Sequence, residues 1–138
     1  MKHIFLSKGW GKVEIPGGSH YVLQQAKLPV VSNNECQNKL KNTPSSLMTI
    51  TNNMFCAGNI NTNNHSGACY GDSGGPFVCL NAAGKFEVRG VVSWGSETCN
   101  FQQENKQYTV FTRVRNYLRW IEDNVGGKVR KFSGLLQQ

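Results

Sequence analysis

The chain has 138 residues and a mass of 15.3 kDa, room for one domain with its own core. Hydrophobic residues make up 38% and charged residues 17%, with 15 Gly; this is a loop-rich, β-leaning composition, and no run approaches the ~18 apolar residues of a membrane span. Fifteen Lys and Arg against eight Asp and Glu give a net charge of +7, but the charges are scattered apart from Lys128-Val129-Arg130-Lys131. They read as solvated surface, so neither nucleic acid nor a membrane is expected as a partner.

The N-terminal stretch Met1–Trp10 carries an apolar run of only three residues, far short of a signal-peptide core. The expectation is that Met1 is not the natural start, or that the chain is a fragment. Beyond it, short apolar runs alternate with turn signals: Tyr21-Val22-Leu23, Lys27 to Val31, Met54 to Ala57, Pro76 to Leu80, Phe86 to Trp94 and Tyr108 to Val114. Their brevity and their β-branched and aromatic content predict antiparallel strands. Pro16 to Ser19 and Asn59 to Gly67 are polar loops, and Asn81 to Lys85 is a hairpin connection. Asn33 to Leu40 is predicted as a short helix capped by an Asn. Val114, Tyr117, Leu118, Ile121 and Val125 recur at helical spacing, and Gly126-Gly127 ends the pattern, which predicts a C-terminal docking helix. Residues 126–138 are expected to be a basic flexible tail after a domain spanning 1–125. Trp10 and Trp120 are expected to pack. No internal repeat is present.

The chemistry concentrates in Gly67-Ala68-Cys69-Tyr70-Gly71-Asp72-Ser73-Gly74-Gly75-Pro76-Phe77-Val78-Cys79. One Ser among glycines, directly after an Asp, can attack a carbonyl while nearby backbone N–H groups bind the oxygen as it turns negative. The same Gly/Asp/Ser composition also builds ordinary surface turns. Gly90-Val91-Val92-Ser93-Trp94-Gly95 follows at short range. Together with the flanking cysteines, these motifs resemble the chymotrypsin/trypsin family of serine endopeptidases. Further stretches resemble the second barrel of that family: Gly9-Trp10-Gly11, Leu28-Pro29-Val30-Val31 with Cys36, Met54-Phe55-Cys56-Ala57-Gly58, Phe111-Thr112-Arg113-Val114 and Tyr117 to Ile121. The resemblance runs from about Gly9 to Val125.

It implies an all-β fold, a single six-stranded antiparallel barrel of the chymotrypsin type with a C-terminal α-helix. It implies Ser73 as nucleophile, with the N–H groups of Gly71 and Ser73 as the oxyanion hole. Asp72 matches the residue that, in the family, pairs with a new amino terminus after activation cleavage; without that partner it is expected to turn to solvent or to another donor. The specificity pocket is expected from Gly67, Ala68, Ser93, Trp94, Gly95 and Thr109, with Trp94 as a wall. Gly67 stands where trypsin-like members have an Asp, so nothing there would neutralise Arg or Lys. Gly95 leaves the mouth open and Thr109 narrows the interior, which favours a small or medium apolar side chain. The family pattern breaks over Asn100 to Gln107, and Tyr108-Thr109 replaces its usual Pro-Gly.

The five cysteines leave several pairings open by spacing alone. The resemblance implies Cys36–Cys56 and Cys69–Cys99, with Cys79 outside both as a buried thiol, because Phe5 stands where its usual partner would be. Disulfides imply an oxidising, secreted setting, and Asn64-His65-Ser66 is a compatible glycosylation sequon. No CxxC or HxxxH spacing occurs, so neither a metal nor another cofactor is expected. The family's other barrel, with its Ala-Ala-His-Cys motif and triad Asp, does not precede Gly9; His3, His20 and His65 stand in no such setting and are expected on surface or loops. The implied function is serine-type endopeptidase acting on peptide or protein substrates, inactive without the His-and-Asp barrel. The alternative is a non-enzymatic pseudo-protease that binds a partner.

Overall fold

Every apolar run that contains an aromatic or β-branched core residue becomes a strand, and the strands assemble edge to edge into one antiparallel sheet. The computed structural model describes residues 5–13, 17–41, 44–58, 66–95, 99 and 108–125. In chain order these form β1 (Phe5–Gly9), β2 (Gln24–Lys27), β3 (Val30–Val31), α1 (Asn33–Leu40), a 3₁₀ turn (Pro44–Leu47), β4 (Met54–Ala57), β5 (Pro76–Leu80), β6 (Phe86–Trp94), β7 (Thr109–Arg113), a second 3₁₀ turn (Val114–Tyr117) and α2 (Leu118–Asn124). The sheet order is β2-β1-β5-β6-β7-β4-β3.

Seven strands stand where six were expected, and Pro29 is the reason. The run from Lys27 to Val31 cannot continue as one strand, because proline has no N–H to donate to a ladder. The chain therefore bends at Leu28-Pro29 and changes partner: β2 pairs with β1, and β3 pairs with β4. Leu28 N–H still reaches Phe5 O at 3.2 Å, and Pro29 O accepts from Gly58 N–H at 3.0 Å. The two edge strands of the sheet are thus consecutive in the chain, separated by two residues. A sheet whose edges are tied so closely must curl round, so the chymotrypsin-like shape arises through a bent strand.

Four phenylalanines fill the concave side. Phe77 and Phe111 are fully buried, with ring centroids 4.6 Å apart; Phe55 lies 5.2 Å from Phe77 and 5.3 Å from Phe111; Phe5 stacks on Phe77 at 5.6 Å. A glycine at 90 is required by this packing, since a Cβ there would meet the Phe55 ring at 2.6 Å. A second cluster joins Cys36, Cys56, Tyr108 and Val110, with Trp94 packed against it. The structure bridges Cys36 to Cys56 and Cys69 to Cys99, and leaves Cys79 as a buried thiol whose Cα partner across β1 and β5 is Phe5.

Several local expectations change. Tyr21-Val22-Leu23 is not a strand: the three side chains are exposed, and β2 starts after them. The cap of α1 is Ser32, not an Asn; its Oγ accepts from Glu35 N–H at 3.1 Å. The C-terminal periodicity splits into a 3₁₀ turn and a seven-residue helix, with Leu118 buried, while Trp10 and Trp120 are exposed rather than packed. Asn81 to Lys85 does form the hairpin turn, with Asn81 Oδ1 accepting from Ala83 and Lys85 N–H and Gly84 at φ +72°. Residues 126–138, His3, His65, the sequon asparagine and Asn100 to Gln107 lie outside the described residues, as does the 1–125/126–138 boundary.

Candidate active site

The Ser73 loop is built from two nested turns. Asp72 N–H donates to Cys69 O at 3.0 Å, and Gly75 N–H donates to Asp72 O at 2.8 Å. Its exit is pinned to β6: Gly74 N–H donates to Val92 O, and Val92 N–H to Gly75 O, each at 2.9 Å. Gly71 sits at φ +97° and Gly74 at φ +80°, conformations that disfavour any residue with a Cβ. The loop's turns and its tie to β6 use the N–H groups of Asp72, Gly74 and Gly75. They leave those of Gly71 and Ser73 outside this network, and Ser73 is exposed.

Asp72 locks the loop to its neighbours. Its Oδ1 accepts from Gly11 N–H at 2.8 Å and its Oδ2 from Cys69 N–H at 2.9 Å. A half-buried carboxylate is stabilised by such donors in place of a cation. The contact also explains why glycines flank Trp10. A Cβ at Gly9 would come within 1.9 Å of Asp72 Oδ1, and one at Gly11 within 2.5 Å of its Cγ. The spacing Gly-x-Gly was therefore the sequence signal for a carboxylate seated against β1 and the residues after it. A cavity of about 220 Å³ opens beside Asp72, between Ser7 to Gly9, Gly11 to Val13, Gln24 to Ala26 and Gly67-Ala68.

Three of the expected pocket residues come together, and the other three lie apart. Thr109, fully buried at the start of β7, accepts from Ala68 N–H through Oγ1 at 2.9 Å. Gly95 lies against the same residue: a Cβ on it would meet Thr109 Cα at 3.5 Å and Oγ1 at 3.8 Å. Ala68, Gly95 and Thr109 thus come together, with Thr109 bridging the space between the other two. Gly67 is half-buried and borders the cavity beside Asp72, and Ser93 is exposed on β6. Trp94 packs against the Cys36–Cys56 cluster, and its Nε1 is buried with no hydrogen-bond partner among the described residues. That places its ring, partly buried, against the cluster around the disulfide.

One polar pair was not signalled by any motif. The Tyr108 hydroxyl donates to a Glu35 carboxylate oxygen, joining the start of β7 to α1. Burial, and secondarily this bond to Glu35, push the tyrosine well above its ordinary range. His20 is exposed, with Nδ1 3.5 Å from Gln24 Nε2, and takes no part in the site. No cluster of His, Cys, Asp and Glu suited to a metal ion occurs among the described residues.

Known proteins match this sequence. The family model described as Trypsin matches residues 2–121. A trypsin of Phaedon cochleariae is 37% identical over 115 residues, which is 83% of this chain and 39% of that relative. The chain therefore spans well under half the length of the curated relative it matches. With the match running through the Ser73 loop, the Gly9-Trp10-Gly11 segment and β4 to β7, the chain belongs to the trypsin-like serine protease family.

Proposed function

We propose that this chain supplies the nucleophile half of a serine endopeptidase. Ser73 Oγ attacks the carbonyl carbon of a peptide bond, and a base takes the hydroxyl proton as the C–O bond forms. The carbonyl electrons move onto oxygen, which the N–H groups of Gly71 and Ser73 would bind. Collapse expels the amine, which carries away the transferred proton, and water then releases the acyl group from Ser73 by the same steps. The observation that supports this reading is the loop geometry: the clasp on Asp72 and the positive φ at Gly71 hold a loop whose N–H groups at 71 and 73 are not spent on its own turns.

The base and its orienting carboxylate match no motif in these 138 residues, so we propose that a His-and-Asp barrel must be joined to this one for turnover. Thr109 bridging Ala68 and Gly95 favours small to medium apolar side chains before the cut bond, and Gly67 offers no counter-charge for Arg or Lys. The paired cysteines fit an oxidising, secreted setting. No helix among the described residues is long and apolar enough to cross a membrane.

The test uses the purified chain with peptide esters and a fluorophosphonate probe, alone and fused behind a family barrel carrying the His and Asp. Silence alone, and Ser73-dependent acylation in the fusion, support the proposal. Turnover by the chain alone that Ser73→Ala abolishes would remove the need for the second barrel. A fusion that stays silent while folded would instead favour a partner-binding pseudo-protease.

A further inference from the structure

The half-buried carboxylate of Asp72 is held by two N–H groups, that of Gly11 at 2.8 Å on Oδ1 and that of Cys69 at 2.9 Å on Oδ2. Each oxygen thus has one donor, and a carboxylate oxygen has room for a second. Both donors are neutral backbone groups. Among the described residues the structure pairs no cation with Asp72; the ion pair there joins Arg89 to Glu87. A carboxylate drawn partly out of water favours a cation within reach. The cavity of about 220 Å³ opens beside this carboxylate. Among the described residues that line it, Asp72 is the one acidic side chain, and Lys8 and Lys12 are the two basic ones.

The two lysines are placed differently. Lys8 belongs to β1, and its Nζ lies 5.2 Å from the centre of the Phe86 ring on β6, so its ammonium is already engaged on the sheet. Lys12 follows Gly11, the residue whose N–H touches Asp72. Its backbone is pinned twice: its N–H donates to Tyr70 O at 2.9 Å, and it bridges to Ser19 across the hairpin. Tyr70 stands in the same loop as Asp72, so the root of the Lys12 side chain is fixed beside the carboxylate. The side chain is half-buried and makes no ion pair among the described residues. A lysine ammonium on its flexible four-carbon stem can swing across such a distance.

We propose that Lys12 is a positioning residue: its ammonium enters the cavity and pairs with Asp72, closing the clasp from within the chain. The resemblance implies a partner brought from outside, a new amino terminus; Lys12 supplies the same chemical group without a cleavage. The bond adds a charged donor to the two neutral ones, and charge-assisted hydrogen bonds are the stronger kind. Through Asp72 the pair holds the turn that carries Gly71 and Ser73, since Asp72 N–H and O both belong to that turn. The consequence for catalysis rests on the reading of Ser73 as nucleophile; the pair itself does not.

The test is NMR of the full chain with nitrogen-labelled lysine side chains. The Lys12 ammonium should give a slowly exchanging signal, coupled through a hydrogen bond to the Asp72 carboxyl carbon. In Lys12→Ala, amide hydrogen exchange at Gly11 and Cys69, the two donors to Asp72, should speed up about tenfold, the usual value of a charge-assisted hydrogen bond, while exchange across β4 and β7 stays unchanged. Lys12→Arg should keep the slow exchange. Millimolar butylammonium should restore it to Lys12→Ala and butanol should not, a rescue that a merely structural lysine would not show. A wild-type Lys12 signal without the coupling to Asp72 would overturn the proposal. So would faster exchange in Lys8→Ala in place of Lys12→Ala. Slower exchange in the wild-type chain on adding a peptide with a free amino terminus would also overturn it, by showing that the cavity takes an outside amine. None of these outcomes bears on Ser73, whose acylation in the fusion is read separately.

Discussion

Asp72 shows how one carboxylate can fix the identity of residues far away in sequence. It is held by N–H groups of Gly11 and Cys69, and its oxygens occupy the space in which side chains at 9 and 11 would stand. Gly11→Ala should therefore displace the carboxylate and cost about 1–3 kcal/mol, as forced overpacking does; a lowered urea midpoint with unchanged slope checks it. Gly18, whose Cβ would meet nothing within 4 Å, is the control, and Gly18→Ala should be close to neutral. At Thr109 the hydroxyl satisfies the buried Ala68 N–H. In a fusion bearing the second barrel, Thr109→Gly should widen cleavage toward Phe and Tyr, and an unchanged profile in a peptide library would place the pocket elsewhere. The sequence located both residues, but the Gly11 donor to Asp72 and the Thr109 bond depend on chain segments 61 and 41 residues away.

At the scale of elements, the later strands were legible, while β1, most of β2 and the breaks were not. Met54 to Ala57, Pro76 to Leu80 and Phe86 to Trp94 form strands over the residues that their composition marks. Tyr21 to Leu23 has the same composition and is no strand, its side chains being exposed; β propensity records fit to a half-buried surface, not a backbone preference. The bend at Pro29 was visible as a proline, yet the partner change it produces needs the positions of both β1 and β4. The cap of α1 shifted by one residue for a local reason, since Ser32 Oγ reaches the N–H three residues on. Ser32→Ala should lower stability by about 1 kcal/mol, measurable in urea, with Asn33→Ala serving as a separate test of the bonds from its side chain to the carbonyls of Thr51 and Met54. Phe77→Ala removes the ring that the other three phenylalanines share and should cost about 3–5 kcal/mol, enough to unfold a marginal domain on heating.

Across the whole molecule, alkaline pH should be the weak side. Burial raises the Tyr108 hydroxyl, helped by Glu35, and burial raises the Cys79 thiol against the opposing pull of Arg89, with Glu87 adding to the rise. In both groups the fold favours the protonated form. Stability from them is fully present below their unfolded values, about 8.5 for the thiol and about 10 for the phenol, and is lost as pH rises above those values, where the unfolded chain gives up protons that the fold retains. The melting temperature should be flat from neutral pH to about 8 and fall from roughly 9 to 11. Tyr108→Phe should start lower, for want of its bond to Glu35, and fall less steeply above about pH 10. An equal slope in both proteins would show that Tyr108 does not carry the effect.

What the sequence determined by itself was chemistry encoded in contiguous residues: the Ser73 loop with its glycines, the short strands, the hairpin at Asn81 to Lys85 and, through resemblance, the cysteine partners. Apart from the cysteine partners, such features depend on neighbours a few positions apart, and local sterics and hydrogen bonding decide them. Only the tertiary structure decided which donors hold Asp72, that Trp94 packs on the Cys36–Cys56 cluster while Trp10 and Trp120 face solvent, and that Lys12 and Asp72 line one cavity. Each of those outcomes depends on strand order and register, above all on the bend at Pro29. Sheet pairing joins segments distant in the chain, and a one-residue change in register turns every side chain to the other face.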